Sequence, residues 1–312
     1  MRGSDRADLR DRIEYQALRL LLVALGSGGP ARSRRAGLAL GSFAARCVPL
    51  RREVALENLR RAFPERDEVA RRKLYRDMVR NLGVVLSDVA RMAHRPREET
   101  LRTIALEHPE VFDEVLRAGK GGLLLSAHFG NWELFGAAAR ALGHPLTVLG
   151  ARQRNPLVES LFSKIRGRFD IEAITVRGGL TPLVRALRRG RLVATLADQD
   201  GGPEGFFMEF LGRPASVQAG IFRLAARLGV PLVPGFSYRE ADGWRGIVQA
   251  PVFPRTAGDP DGIEAEARRL AAIYTARVEA EVRRRPDHWF WVHRRWRSRP
   301  GGNPQPSAAA GR

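Results

Sequence analysis

One segment of the chain sets an imidazole and a carboxylate where they could act together. It reads Ser126-Ala127-His128-Phe129-Gly130-Asn131-Trp132-Glu133. The apolar run Gly122–Ser126 before it reads as a strand, and Trp132–Ala141 as a helix. Asn131 is then a candidate N-cap, and Glu133 lies in the first helical turn. His128 falls in the turn beyond the carboxyl end of a strand, where open α/β sheets place their ligands. A neutral imidazole there can take the proton of a hydroxyl as its oxygen attacks a carbonyl. A carboxylate near the ring fixes its tautomer and stabilises the imidazolium that forms. His128 and Glu133 are five positions apart, which separates them on a continuous helix but lets them meet across a strand–turn–helix junction. Spacing alone also allows a turn histidine beside an ordinary first-turn glutamate.

Other segments carry weaker signals. Asp198-Gln199-Asp200 follows the run Leu192–Ala197, again at a carboxyl end, but Gly201-Gly202-Pro203 after it reads equally as a plain turn. Arg152 could meet a phosphate as a planar bidentate donor, or be one surface arginine among many. Gly205–Leu211 is strongly apolar and suits an acyl channel, a bilayer contact or simple core packing. Trp289, Trp291 and Trp296, interleaved with His293, Arg294 and Arg295, suit an interfacial belt, a phosphate contact or a core with a basic edge.

Absent motifs narrow the chemistry. No Gly-x-Ser-x-Gly elbow, Walker loop or Gly-x-Gly-x-x-Gly turn occurs, nor a His-x-x-x-His pair. We expect no metal, no cofactor and no serine acyl-enzyme. Direct transfer needs an oxyanion donor, for which backbone N–H groups near Gly130 and at the following helix start are the candidates.

The elements that must position these residues change texture along the chain. Residues 1–100 read as helices whose apolar faces are edged with arginine, which suits a helical segment associating with an anionic membrane surface. Residues 101–298 alternate short apolar runs with helical stretches. Leu146–Leu149, Ala173–Val176 and Leu232–Phe236 read as further strands. Pro156–Phe169, Leu180–Arg189 and Val217–Leu228 read as helices. The pattern predicts an α/β domain with a mostly parallel sheet flanked by helices. Trp244–Val248 is expected as an added edge strand and Glu264–Arg284 as a closing helix. Residues 299–312 are rich in Pro, Gly, Ala and Ser and are expected to be disordered.

Lys and Arg number 53 against 34 Asp and Glu, a formal net charge of +19. Such a chain attracts anionic partners, but no base-reading module is recognisable and nucleic acid is not expected. Cys47 is the single cysteine, so an intramolecular disulfide is excluded. The run Ala17–Gly26 is broken by Arg19 and is too short to span a bilayer, which needs about 20 apolar residues. A peripheral, cytoplasmic placement is the expectation.

The motifs also agree, in order, with a known family. His-Phe-Gly-Asn-Trp-Glu (128–133) resembles the His-x-x-x-x-Asp/Glu motif of the bacterial lipid A biosynthesis (lauroyl/myristoyl) acyltransferases, in the lysophospholipid acyltransferase superfamily. Glu57-Asn58-Leu59 with Phe63-Pro64-Glu65 resembles the family's N-terminal signature, and Arg152 with Asn155-Pro156 its Arg…Asn-Pro segment. The Arg segment is one residue shorter than the family pattern, so Arg154 competes with Arg152, which we favour. Asp198-Gln199-Asp200 with Gly212-Arg213-Pro214-Ala215 resembles its Asp-rich loop, and Trp289–Trp296 its C-terminal end. The resemblance implies a glycerolipid-acyltransferase-like fold at the cytoplasmic face of a bacterial inner membrane. It implies His128 as general base, Glu133 as its partner, and substrate-binding roles for Asn131, Arg152, Asp198, Asp200, Arg294 and Arg295. Acyl carrier protein or acyl-CoA would be the donor and a lipid, foremost a lipid A precursor, the acceptor. A lysophospholipid or glycolipid mannoside acceptor is the alternative. Two further readings belong to other classes: an Asp-x-Asp glycosyltransferase, and a basic membrane-binding protein without catalysis.

Overall fold

The computed structural model describes residues 8–175, 180–255 and 259–301. Val176 and the tail from residue 302, two places where the sequence carried an expectation, lie outside them. The chain begins with helices α1 (Leu9–Gly26), α2 (Pro30–Cys47), α3 (Arg52–Ala62), α4 (Glu68–His94) and the short α5 (Arg97–Leu101). Then come β1 (Ile104–Glu107), α6 (Glu110–Arg117), β2 (Gly122–Ser126), α7 (Trp132–Ala141), β3 (Leu146–Gly150), α8 (Pro156–Gly167) and β4 (Glu172–Thr175). Helix α9 (Thr181–Arg188), β5 (Leu192–Leu196), the hairpin β6 (Phe206–Phe210) and β7 (Arg213–Val217), and α10 (Ala219–Leu228) follow. Strands β8 (Leu232–Arg239) and β9 (Trp244–Val248) precede the closing α11 (Pro260–Arg284).

Seven strands form one sheet in the order β1-β9-β8-β2-β5-β3-β4, parallel except where β9 runs against β8. Its central strand β2, with three consecutive leucines, is buried along its whole length because both faces are covered. Leu123 and Leu125 point into the core that holds Phe222, Tyr274 and Trp291, and Leu124 into the one that holds Phe112 and Phe135. The N-terminal helices share both cores. Leu22, Leu25 and Met92 belong to the same core as Leu124, and Leu56, Leu59 and Phe63 to the same core as Leu123.

One sequence expectation changes, and one open reading resolves. Trp244–Val248 is not the edge strand, since β1 pairs parallel to its outer side. At four residues, and with Ala105 exposed, β1 carries too little apolar pattern to be read from sequence. The apolar run 205–211 is half of a hairpin. Leu211 (φ 53) and Gly212 (φ 74) supply the consecutive left-handed residues a tight hairpin turn needs. Phe206 and Phe210 are buried, as are Trp289, Trp291 and Trp296, so these rings are core rather than a membrane belt.

Helices α2 and α4 approach at a glycine contact. A Cβ on Gly83 would meet the Gly37 carbonyl oxygen at 2.1 Å, and one on Gly37 would meet the Gly83 oxygen at 2.5 Å. Only a residue without a side chain permits that spacing. Gly83→Ala should therefore lower stability by about 1–3 kcal/mol in chemical denaturation, the scale of overpacking a tight core. Gly167→Ala, with nothing within 4 Å of the added carbon, should not.

Candidate active site

The turn from β2 to α7 is built to present one ring. Gly130 has φ 60, and a Cβ there would stand 1.9 Å from the Ser237 carbonyl oxygen, so the turn passes close under β8. The Gly130 N–H donates to the His288 oxygen at 2.9 Å, and the Phe290 N–H donates to the His128 oxygen at 2.9 Å. The C-terminal segment thus pairs with the histidine turn from outside the sheet. Asn131 caps α7, its Oδ1 accepting the Leu134 N–H at 3.1 Å. Its own N–H donates to Ser237 Oγ at 2.8 Å.

Asp198 stands just beyond the carboxyl end of β5, the neighbour of β2. Its buried carboxylate accepts from the His128 ring Nδ1 at 2.8 Å, the His128 backbone N–H at 3.0 Å and the Trp289 indole Nε1 at 2.7 Å. Burial alone would raise this carboxyl. The His128 charge and the hydrogen bonds from His128 and Trp289 outweigh it and hold the group below the usual aspartate range. An ionised carboxylate only accepts, so His128 Nδ1 carries the hydrogen of this bond, and in the neutral ring the lone pair is on Nε2. Trp132 stands edge-on to the imidazole, with centroids 5.4 Å apart, and Phe290 stacks on it at 5.9 Å. The Gln199 side-chain nitrogen lies 3.4 Å from Nε2. The site therefore offers a partly exposed, oriented base beside an amide.

The other expected residues take different places. The ring's hydrogen bond goes to Asp198, not to Glu133. Glu133 instead receives a two-point ion pair from Arg166 of α8, with contacts of 3.0 and 2.5 Å. Glu133 leaves the junction on α7, and a cation already sits beside it. Asn131 is fully buried between its cap and Asp88, where it shapes the turn. Asp200 faces away from the ring. It accepts from the Ser298 N–H at 3.2 Å and the Ser298 hydroxyl at 3.0 Å, and so ties down the C-terminal segment. Arg295 is buried, lies over the Phe210 ring and donates to the Ser216 oxygen. Burial pulls its guanidinium down, against the opposing charges of Asp198 and Asp200. Arg294 and Arg152 are exposed. Burial pushes His293 down to about 4, so it is neutral, and its Nε2 accepts the Asp200 N–H at 2.9 Å. The expected oxyanion donors divide into two sets. The N–H groups of Gly130 and Asn131 are taken, whereas those of Trp132 and Glu133, at the start of α7, make no hydrogen bond among the described residues.

Sequence reasoning missed Arg166, Gln199 as a neighbour of the ring, and Asp88. It offered Trp289 for an interfacial belt, a phosphate contact or the core, and not as a donor to Asp198. A charge-bearing Asp88 on a helix that otherwise reads as core was the available signal.

A sequence model of the family described as bacterial lipid A biosynthesis acyltransferase matches residues 15–298. The chain belongs to that family. It is 28% identical over 272 residues to the lipid A biosynthesis lauroyltransferase of Escherichia coli K12, covering 86% of this chain and 87% of that one. It is 27% identical over 211 residues to a phosphatidylinositol mannoside acyltransferase of Mycobacterium tuberculosis, covering 66% and 63%. Among solved structures, the 1-acyl-sn-glycerophosphate acyltransferase of Thermotoga maritima aligns at 14% identity, with 78% of this chain and 95% of that one covered and a TM-score of 0.35. Membership makes this protein an O-acyltransferase acting on lipid A or a related lipid.

Asp88 of α4 supports the same turn from the opposite side. Its Oδ2 accepts from Asn131 Nδ2 at 3.0 Å and from the Trp244 indole at 2.7 Å. Burial pushes this carboxyl up to about 6, against the pull of Trp244, Arg91, Asn131 and Arg34. The folded value exceeds the ordinary one, so the group's stabilising share is fully present below about pH 4 and is lost as pH rises through about 6. The gap caps that loss at about 3 kcal/mol. Asp88→Asn keeps an acceptor oxygen without the charge. Urea denaturation should show the variant gaining about 1–3 kcal/mol on wild type between pH 4.5 and pH 8.

Proposed function

We propose that the protein moves an acyl chain from a thioester donor to a hydroxyl of a lipid A precursor, with His128 as general base. The observation that carries this reading is the bond from the His128 ring to the ionised Asp198, which turns Nε2 away from the carboxylate, with only the long 3.4 Å contact to the Gln199 amide, among the described residues, for a proton to displace. The lipid hydroxyl gives its proton to Nε2 as its oxygen attacks the thioester carbonyl. Asp198 stabilises the imidazolium through Nδ1. The tetrahedral oxyanion is met by the Gln199 amide and the open N–H groups at the α7 start, where the helix dipole also favours negative charge. Collapse expels the thiolate, which takes the proton from His128. Acyl carrier protein and acyl-CoA both fit the net charge of +19, since both are anionic. The acyl carrier protein is our choice on family grounds, and the lipid A acceptor follows the lauroyltransferase relative.

Glu133 and Arg166 form a charged pair on the rim of the same junction, with side chains 14% and 19% exposed. The pair holds α7 against α8 rather than orienting the ring. Acyl transfer from labelled acyl carrier protein into a lipid extract tests the whole reading. His128→Ala should label nothing. Asp198→Asn should lower kcat by about 10²–10⁴ by losing the tautomer-fixing carboxylate. Glu133→Gln should cost less. The reverse order would make Glu133, rather than Asp198, the partner of the catalytic ring.

The same reading places the first helix at a membrane surface. Among the described residues no helix is long and apolar enough to cross a membrane. Leu9, Ile13, Leu20 and Val23 of α1 are all exposed. At 100° per residue they share an arc of about 80°, with Arg12 and Arg19 along one side. Binding to anionic vesicles should weaken in high salt without vanishing. Leu20→Glu should reduce the salt-resistant part at least severalfold in a vesicle co-sedimentation assay.

A further inference from the structure

A cavity of about 440 Å³ opens between α2, α4 and the β8–β9 turn, and neither His128 nor Asp198 lines it. Its walls are apolar, with Pro30, Leu38, Val84 and the Trp244 ring. Asp88 forms its buried end. Oδ2 carries both of the hydrogen bonds that Asp88 receives, from Asn131 and Trp244, and Oδ1 has no partner among the described residues. Arg34 and Arg35 also line the cavity, with Asp242 on the turn beside them. Arg34 is steadied by the Glu240 and Ala241 backbone oxygens, which are neutral acceptors. Neither arginine makes an ion pair with a carboxylate among the described residues. A volume within the usual range of about 300–1,000 Å³, apolar walls and a few convergent polar groups make up a small-molecule site.

We propose that this cavity binds a hydroxylated phosphate ester such as a glycerol phosphate, separately from the acyl-transfer site. The two guanidinium groups take the phosphate, as planar multi-donor groups do. A hydroxyl of the same ligand donates to Asp88 Oδ1, and hydrocarbon attached to the ester lies along Leu38, Val84 and Trp244. The occupant would touch the carboxylate whose other oxygen holds the α7 cap, three residues from His128. The chemistry could be that of a phospholipid headgroup or of a free polyol phosphate.

Calorimetric titration of the full chain distinguishes them without a membrane surface. The probes are glycerol 3-phosphate and dihexanoyl phosphatidylglycerol below its micelle concentration. Saturable binding at one site per chain is expected, about tenfold weaker in Arg35→Ala and absent in Leu38→Trp, which fills the cavity. Arg35 is exposed, so its variant reports even if Leu38→Trp disturbs folding. Binding of the lipid alone would support the headgroup source, and binding of both probes a free ester as well. Binding of neither probe, or affinity unchanged in Arg35→Ala, would overturn the proposal.

Discussion

The site depends on one buried carboxylate. Asp198 cannot be both buried and ionised without donors, and it has three: two from His128 and one from Trp289. These donors come from different parts of the chain. His128 belongs to the turn after β2, and Trp289 follows the last long helix. The parallel pairing of β2 with β5 sets the two carboxyl ends side by side, and the C-terminal segment closes over both. The arrangement is therefore a property of the whole α/β unit rather than of a local motif.

A second buried carboxylate braces the other side of the same turn. Asp88 joins α4, the α7 cap and β9 through two hydrogen bonds on one oxygen. The N-terminal helices are thus structural partners of the site as well as the bearers of an exposed apolar stripe. The glycine contact that lets α2 lie close to α4 shapes the wall where the cavity opens.

The sequence made the strand–turn–helix around His128 legible because β2 is an unbroken apolar run and Asn131 is a strong capping residue. The alternation of strands and helices was legible for the same reason. Partnership was not. Glu133 lies near His128 in sequence, and Asp198 is 70 positions away, joined to it only by the sheet. Which of two acidic residues meets the ring is decided by strand order, which a single sequence does not encode locally. The partners of Asp200 and Arg295 were hidden for a related reason. Each is charged and next to the site in sequence, yet each is consumed by packing the C-terminal segment. The position of β9 was lost because its outer neighbour, β1, is short and half-polar.

The most direct measurement is nitrogen NMR of the His128 ring in wild type and in Asp198→Asn and Glu133→Gln. The account predicts a hydrogen on Nδ1, shielded from exchange, in wild type and in Glu133→Gln, and its loss in Asp198→Asn. An Nδ1 hydrogen that survives in Asp198→Asn and is lost in Glu133→Gln would contradict it.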